Sequence, residues 1–332
     1  MIISKTPFRI SFFGGGTDYP VWYNEHSGAV LATTIDKYCY ITCRYLPPFF
    51  EHKFRLVYSK MEQTQNIQEI QHPSIRATLG YMGIDQGVEI HHDADLPART
   101  GLGSSSSFTV GLLHTLYALN GRMITKRKLT LDAIHVEQDI IKENVGSQDQ
   151  TCAAFGGFNK IEFGGEHRIQ VHPITLHPKK CQNLQNHLML FYTGISRFAS
   201  EIAGEQVKKT PDKKGELTRM QAMVDESIDI LNSSDSGISD FGRLLHENWN
   251  LKRSLTDKIS TPQIDKIYNN AIESGALGGK LLGAGGGGFI LFFVEPEHQP
   301  AVKEKLKSLL HVPFKFENQG SQIIYYAPEN NY

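Results

Sequence analysis

Leu96-Pro97-Ala98-Arg99-Thr100-Gly101-Leu102-Gly103-Ser104-Ser105-Ser106-Ser107 decides how this chain is read. Phe108, Leu112, Leu113, Leu116 and Leu119 follow at helical spacing, so the serine run opens a helix. Glycines let the loop turn tightly and bring its backbone against a ligand. The helix start adds unpaired N–H groups and the positive end of a dipole, which suit a phosphate. Serine hydroxyls supply further donors, and oxygen ligands for a hard cation such as magnesium. No lysine follows the second glycine, so this is not a Walker loop. A capping serine accounts for one hydroxyl; four in a row after Gly-Leu-Gly ask for more.

Short strands and helices alternate on either side of this loop. Arg9 to Phe13 reads as a strand, Ala29 to Ile35 and Tyr38 to Tyr45 as a strand pair, and Gly87 to His91 as another strand. A second helix is expected from Thr130 as N-cap to about Glu143, then strands at Phe158 to Phe163 and Ile169 to Val171. Pro173, Pro178 and the polar run to Asn186 read as a linker, followed by a strand at Leu188 to Tyr192. A mainly helical region spans Ala199 to Ser274. Beyond it come a glycine-rich loop, a strand at Phe289 to Val294, a helix at His298 to Leu310 and two strands. The class is α+β. At 332 residues the chain exceeds what one core usually holds, so two domains are expected, residues 1–180 and 187–332, with a cleft between them as the site.

Three more segments carry chemistry. Gly283, Gly285 and Gly288 in Gly283-Ala284-Gly285-Gly286-Gly287-Gly288 match G-x-G-x-x-G. That fingerprint needs a strand before and a helix after; here a helix is expected before and a strand after, which excludes a dinucleotide fold. What remains is a loop bare enough for another backbone or a ligand to lie against it. Glu137 and Asp149 add two carboxylates that could join the serine loop as a magnesium site and a base. Taken singly, Glu137 reads as a solvated helix face and Asp149 as a helix cap. Finally, Arg9-Ile10-Ser11-Phe12-Phe13-Gly14-Gly15-Gly16-Thr17-Asp18-Tyr19 delivers an arginine and then an aspartate beside bare glycine backbone. That suits a polyol, or an ordinary strand-end turn.

Composition excludes other classes. Thirty-four basic residues against 35 acidic ones leave no basic block for nucleic acid. Cys39, Cys43, Cys152 and Cys181 form no Cys-x-x-Cys pair, so reduced thiols are expected. His91-His92-Asp93-Ala94-Asp95 alternates across a strand and has no partner spacing for a metal. With no apolar run of roughly 18 residues and no leader pattern at Met1, a cytoplasmic protein without membrane contact is expected.

In this order, the four elements resemble the GHMP kinases, over nearly the whole chain. The resemblance implies an N-terminal domain like the second domain of ribosomal protein S5 and a ferredoxin-like C-terminal domain, with ATP and acceptor between them. Gly101, Leu102, Gly103, Ser104, Ser105 and Ser106 would bind the ATP phosphates, and Ser105 and Glu137 would hold magnesium. Asp149 matches the catalytic aspartate and Arg9 the basic residue beside it. Gly15, Gly16, Thr17 and Asp18 would meet the sugar, and Gly283, Gly285, Gly286 and Gly287 would support the nucleotide loop. Galactokinases carry Gly-Glu-His before Thr-Asp-Tyr, where this chain has Gly14-Gly15-Gly16. The form Phe-Arg-Ile-Ser-Phe-Phe-Gly-Gly-Gly-Thr-Asp resembles instead the D-glycero-D-manno-heptose 7-phosphate kinases of surface-polysaccharide synthesis, as does Tyr192-Thr193-Gly194-Ile195-Ser196-Arg197. Arg197 would then pair with the substrate phosphate. The implied activity is phosphorylation of the anomeric hydroxyl to a 1,7-bisphosphate; a galactokinase- or fucokinase-like kinase and an inactive sugar and ATP sensor are the alternatives. A dimer is left open.

Overall fold

The computed structural model describes residues 1–98, 100–166, 168–195, 199–233 and 237–328. The first part of the chain runs β1 (Ile2–Phe13), α1 (Pro20–His26), β2 (Gly28–Tyr45), β3 (Phe54–Val57), β4 (Met61–Thr64), α2 (Pro73–Met82) and β5 (Val88–Ala94). Next come α3 (Ser104–Leu119), α4 (Lys126–Ile134), α5 (Gln148–Phe155), β6 (Phe158–Gly164), β7 (Arg168–Pro173) and α6 (Pro178–Asn186). β8 (Leu188–Tyr192), α7 (Ala199–Lys209), α8 (Lys214–Asn232), α9 (Ser239–Ser254) and α10 (Pro262–Glu273) follow. β9 (Ala276–Leu281), β10 (Phe289–Val294), α11 (Gln299–Lys305), β11 (Leu310–His311), β12 (Phe316–Glu317) and β13 (Gln322–Tyr326) complete it.

β1 and β2 are the spine of a nine-stranded sheet ordered β13-β1-β2-β5-β3-β4, with β6 and β12 also on β2 and β7 on β6. The strand pair expected at Ala29–Ile35 and Tyr38–Tyr45 is the single strand β2. Asp36 and Lys37 form no turn, because β1 pairs across them with a register shift that sets Pro7 opposite Tyr38 and Phe8 opposite Ile35. β2 thus offers its first half to β6 and its second to β5. Helix α3 lies close on β1 through Gly111, where a Cβ would sit 2.9 Å from the Thr6 hydroxyl. The Ser107 hydroxyl also donates to the Pro7 carbonyl at 2.9 Å. This packing sets the serine loop beside the end of β1 that carries Arg9.

The second sheet is four-stranded, ordered β11-β8-β10-β9, and its β-α-β-β-α-β connection is ferredoxin-like, as expected. A strand, β9, precedes the second glycine cluster where a helix was expected. Its Gly278 and Gly279 hid the strand signal; a Cβ on Gly278 would lie 2.0 Å from the Gly242 carbonyl of α9, so these glycines admit a helix packed on strand backbone. A strand still follows the cluster, so the dinucleotide fold stays excluded.

The expected linker contains α6, begun by Pro178 at its first turn and anchored by buried Leu184. The helix expected from Thr130 starts earlier: Thr125 caps it by accepting from the Lys128 N–H at 3.2 Å, and Thr130 sits inside. The expected C-terminal helix is shorter, and three short strands follow where two were read. Two of them, β12 and β13, return to pair with β2 and β1. The second unit, read as 187–332, therefore gives its last strands back to the first sheet. Among the described residues no helix is long and apolar enough to cross a membrane.

Candidate active site

Arg9, near the end of β1, is almost fully buried and grips Asp149 with a two-pronged fork. Its Nε donates to Oδ1 at 2.8 Å and its Nη2 to Oδ2 at 2.9 Å. The third nitrogen, Nη1, donates to the Gly101 carbonyl at 2.7 Å, and the Arg9 backbone N–H donates to the Leu102 carbonyl at 3.0 Å. One guanidinium thus ties the aspartate to the serine loop, a geometry that lysine could not reproduce. Asp149 lies within the first turn of α5 rather than ahead of it, so it is not the cap it resembled. Its side chain keeps about a quarter of its surface accessible, against 4% for Arg9. A buried cation therefore holds a carboxylate that keeps part of its surface open.

Gly103 occupies the cap position of α3 in the left-handed region, φ 75°, and no serine side chain caps the helix. The first rung of the helical ladder runs from the Ser107 N–H to the Gly103 carbonyl, so the amides before it have no place in the ladder. A Cβ on Gly103 would come within 3.4 Å of the Asp149 carboxylate. The second glycine cluster lies directly behind: a Cβ on Gly283 would be 2.5 Å from the Gly101 Cα, and one on Gly288 would be 2.2 Å from the Thr100 carbonyl. The Phe289 N–H closes this contact on the Thr100 carbonyl at 3.0 Å. Gly285 and Gly287 are pressed in the same way against backbone at Ile259 and Ile195, and the Gly286 N–H donates to the Ile259 carbonyl at 2.9 Å. Backbone lies on backbone here, and no side chain fits between.

Glu137 belongs to a π-helical turn, His135–Ile140, and is enclosed rather than on a solvated face. The serine paired with it is Ser106, whose hydroxyl donates to Oε2 at 2.8 Å; Gln150 donates to the same oxygen. Ser105, the serine expected to share a cation with Glu137, is exposed. Successive helix positions are turned by about 100°, so adjacent serines cannot face one carboxylate. Burial pushes the Glu137 carboxyl up to about 7, against the pull of its hydrogen bonds. Replacing Ser106 by alanine is expected to destabilise the fold by about 1–3 kcal/mol, because a buried acceptor loses a donor. Ser105→Ala should stay within about 0.5 kcal/mol; urea unfolding midpoints would separate the two.

Beyond Phe13 the chain turns through Gly14 to Asp18. Thr17 is enclosed, its hydroxyl 2.8 Å from the Gly14 carbonyl and 2.9 Å from that of Ala29. That hydroxyl is taken up in holding the turn. Asp18 Oδ1 takes the Gly16 N–H at 2.8 Å. Burial raises the Asp18 pKa and the Asp149 charge adds to that, while the Gly16 N–H and Lys252 pull it down. Gly15 and Gly16 face Ser11, Gln148 and Gln206: a Cβ on Gly15 would be 3.6 Å from the Ser11 hydroxyl, and one on Gly16 2.8 Å from Gln206 Nε2. Arg197 lies outside the described residues.

Four polar residues that the motifs did not mark line the same region: Gln206, Asn248, Lys252 and Lys280, each buried. Three of them come from helices of the second half. In α9 the residues Phe241, Leu245, Asn248 and Lys252 share one face at helical spacing. An asparagine and a lysine in that apolar stripe are the signal that could have been read.

Two family models match this chain: GHMP kinases N terminal domain at residues 69–157, and GHMP kinases C terminal at 230–312. The chain belongs to the GHMP kinase family. GHMP kinases take ATP as phosphoryl donor, and this member is a phosphotransferase of that kind, related to sugar kinases. It is 28% identical over 313 residues to a D-glycero-alpha-D-manno-heptose 7-phosphate kinase of Campylobacter jejuni, covering 89% of this chain and 90% of the relative. It is 27% identical to a galactokinase of Pyrococcus furiosus, covering 92% of each. A solved structure described as a D-glycero-D-manno-heptose 1-phosphate kinase from Bacteroides thetaiotaomicron superposes with a TM-score of 0.77, at 22% identity, over 98% of this chain and 99% of that one. The last likeness bears on the fold alone.

Proposed function

We propose that this GHMP kinase transfers the γ-phosphoryl group of ATP to the anomeric hydroxyl of D-glycero-D-manno-heptose 7-phosphate, giving the 1,7-bisphosphate. The observation that carries the chemistry is the Arg9–Asp149 fork set against the Gly101–Ser106 loop. Phosphoryl transfer asks mainly for positioning and charge stabilisation. In this reading the loop amides and the start of α3 hold the ATP phosphates. Asp149 accepts the proton of the attacking hydroxyl, and Asp18 binds a neighbouring hydroxyl. Arg9 fixes the orientation of Asp149 and offsets charge that develops on the transferring group.

Glu137 is enclosed by the Ser106 and Thr109 hydroxyls and the Gln150 amide, and its Oε1 accepts no well-formed hydrogen bond among the described residues, which leaves an oxygen for a hard cation. Glu137, with a hydroxyl from the serine run, would hold magnesium, which would neutralise charge on the β- and γ-phosphates. The heptose rests on the kinship with the Campylobacter jejuni relative and on the absence of glutamate and histidine from the Gly14–Gly16 turn.

Phosphorus NMR tests this directly. Purified protein is incubated with ATP, magnesium and, in parallel, the heptose 7-phosphate, galactose, fucose or mevalonate. A new anomeric phosphate signal is expected in the heptose arm alone, with its coupling identifying the anomer. Transfer to galactose or fucose instead would replace the acceptor. ATP and sugar binding without transfer in any arm would favour a sensor.

A further inference from the structure

Lys252 on α9 and Lys280 on β9 are both buried, 5% and 4% exposed, and the chemistry above gives neither a task. Lys252 Nζ donates to Gln206 Oε1 at 2.9 Å, and Lys280 Nζ to the Phe12 carbonyl at 3.0 Å. An ammonium carries three N–H donors, so one bond each leaves both short of partners. Around them lie further buried polar atoms without a partner among the described residues: Gln206 Nε2, Asn248 Oδ1 and Ser11 Oγ. Gln206 Nε2 is aimed at the glycine turn, 2.8 Å from where a Cβ on Gly16 would stand. Asn248 shares the Phe12 carbonyl with Lys280, donating to it at 3.3 Å.

The charges do not balance either. Arg9 is matched by Asp149 in the two-pronged pair, which leaves Asp18 as the carboxylate that acts on both lysines among the described residues. Lys252 feels both Asp18 and Arg9, and Lys280 feels Lys252, Arg9 and Asp18. A buried cation without its counter-charge is costly, and neutral hydroxyls would supply oxygens without charge. An anion with several acceptor oxygens would supply both the counter-charge and the acceptors.

We propose that Lys252 and Lys280, together with Gln206, form an anion subsite that reads a phosphate monoester on the acceptor and so selects phosphorylated over neutral sugars. The assignment rests on the sugar-kinase reading above and adds residues to it. The protonation behaviour agrees. Burial lowers the Lys252 pKa to about 8 and that of Lys280 well below its ordinary value, and Arg9 pushes both the same way while Asp18 opposes. The other titratable groups that feel Asp18 are Tyr19, Tyr23, Cys152 and Asp149. An arriving phosphate favours the charged form of both lysines, so binding at pH 8 should draw protons from solution.

The test compares D-glycero-D-manno-heptose 7-phosphate with D-glycero-D-manno-heptose as acceptors, using the full-length wild type, Lys252→Met and Lys252→Arg. Wild type should prefer the phosphorylated sugar. Lys252→Met should lower that kcat/KM ratio at least about 30-fold, since a site built around a charged contact discriminates steeply. Lys252→Arg should recover part of it, and KM for ATP should move less than about threefold in both variants. A ratio unmoved in Lys252→Met, with KM for ATP raised, would assign the lysines to the nucleotide's phosphates and overturn the subsite. If wild type fails to discriminate, the phosphorylated acceptor itself falls; if wild type and Lys252→Met discriminate equally, the lysine assignment falls alone. Should Lys252→Met not fold, calorimetry on the wild type at pH 8, in buffers of different ionisation enthalpy, decides the matter. Proton uptake is expected with the 7-phosphate and not with the neutral heptose, and equal uptake with both sinks the proposal.

Discussion

Replacing Asp149 by asparagine is expected to lower kcat by about 10²–10⁴-fold, the range typical of a positioned base, while KM for ATP stays near its wild-type value. The amide has nearly the carboxylate's shape, so one oxygen remains for the Arg9 fork that now takes both at 2.8 and 2.9 Å. What it lacks is a negative charge and a proton acceptor beside the loop. Asp149→Ala should behave differently. It leaves the Arg9 guanidinium enclosed with only the Gly101 carbonyl, and breaking one side of such a pair costs about 3–5 kcal/mol. The alanine variant should therefore lose both turnover and thermal stability; the asparagine variant, which keeps one acceptor oxygen for Arg9 but not its counter-charge, should lose turnover with a smaller loss of stability. Single-turnover kinetics with labelled ATP, beside thermal unfolding of each variant, checks both statements. Near-wild-type turnover in Asp149→Asn would remove the aspartate from the chemistry and leave it a purely structural ion-pair partner.

The second large effect is predicted where the two glycine loops touch. Gly101 has φ 83° and a Cβ there would stand 2.2 Å from the Leu282 carbonyl oxygen; Gly283 has φ 78° and a Cβ 2.5 Å from the Gly101 Cα. Both obstacles are backbone, which cannot swing aside. Gly101→Ala and Gly283→Ala are each expected to cost more than about 3 kcal/mol, combining left-handed strain with overpacking. Gly83 provides the control. It ends α2 with φ 63°, and a Cβ there meets nothing within 4 Å, so Gly83→Ala should cost only about 1 kcal/mol. Soluble yield and urea midpoints of the three variants separate strain from collision. Similar losses at all three positions would mean that the loop contact adds nothing beyond φ.

Much of the arrangement was legible in the residues. The serine run opens a helix because apolar residues follow it at helical spacing, and the strands at Leu188–Tyr192 and Phe289–Val294 fall where short apolar and aromatic runs are bounded by breakers. The errors have local causes. A bulge at Asp36-Lys37 passed for a turn, since both interrupt an apolar run. Strand β9 passed for the end of a helix, since Gly278 and Gly279 lack the side chains that mark strands. Helix α6 passed for linker, since only Leu184 of its residues is buried and its polar face dominates the composition.

By itself, the sequence determined which backbone could lie against a ligand and which helix start could take an anion. Those properties belong to glycine and to helix ends wherever they occur. Tertiary structure alone decided which groups meet. Arg9 reaches Asp149 across 140 positions of chain, because β1 and α5 are both packed against α3. Ser106 rather than Ser105 faces Glu137, because the packing of α3 on β1 fixes its rotation and one residue of helix is about 100°. Lys252 and Lys280 reach the glycine turn from the second sheet and its helix α9. The apolar stripe of α9 marks Lys252 as inward-facing but not what it meets; the crossing of α9 over β9, set by Gly242 and Gly278, decides that.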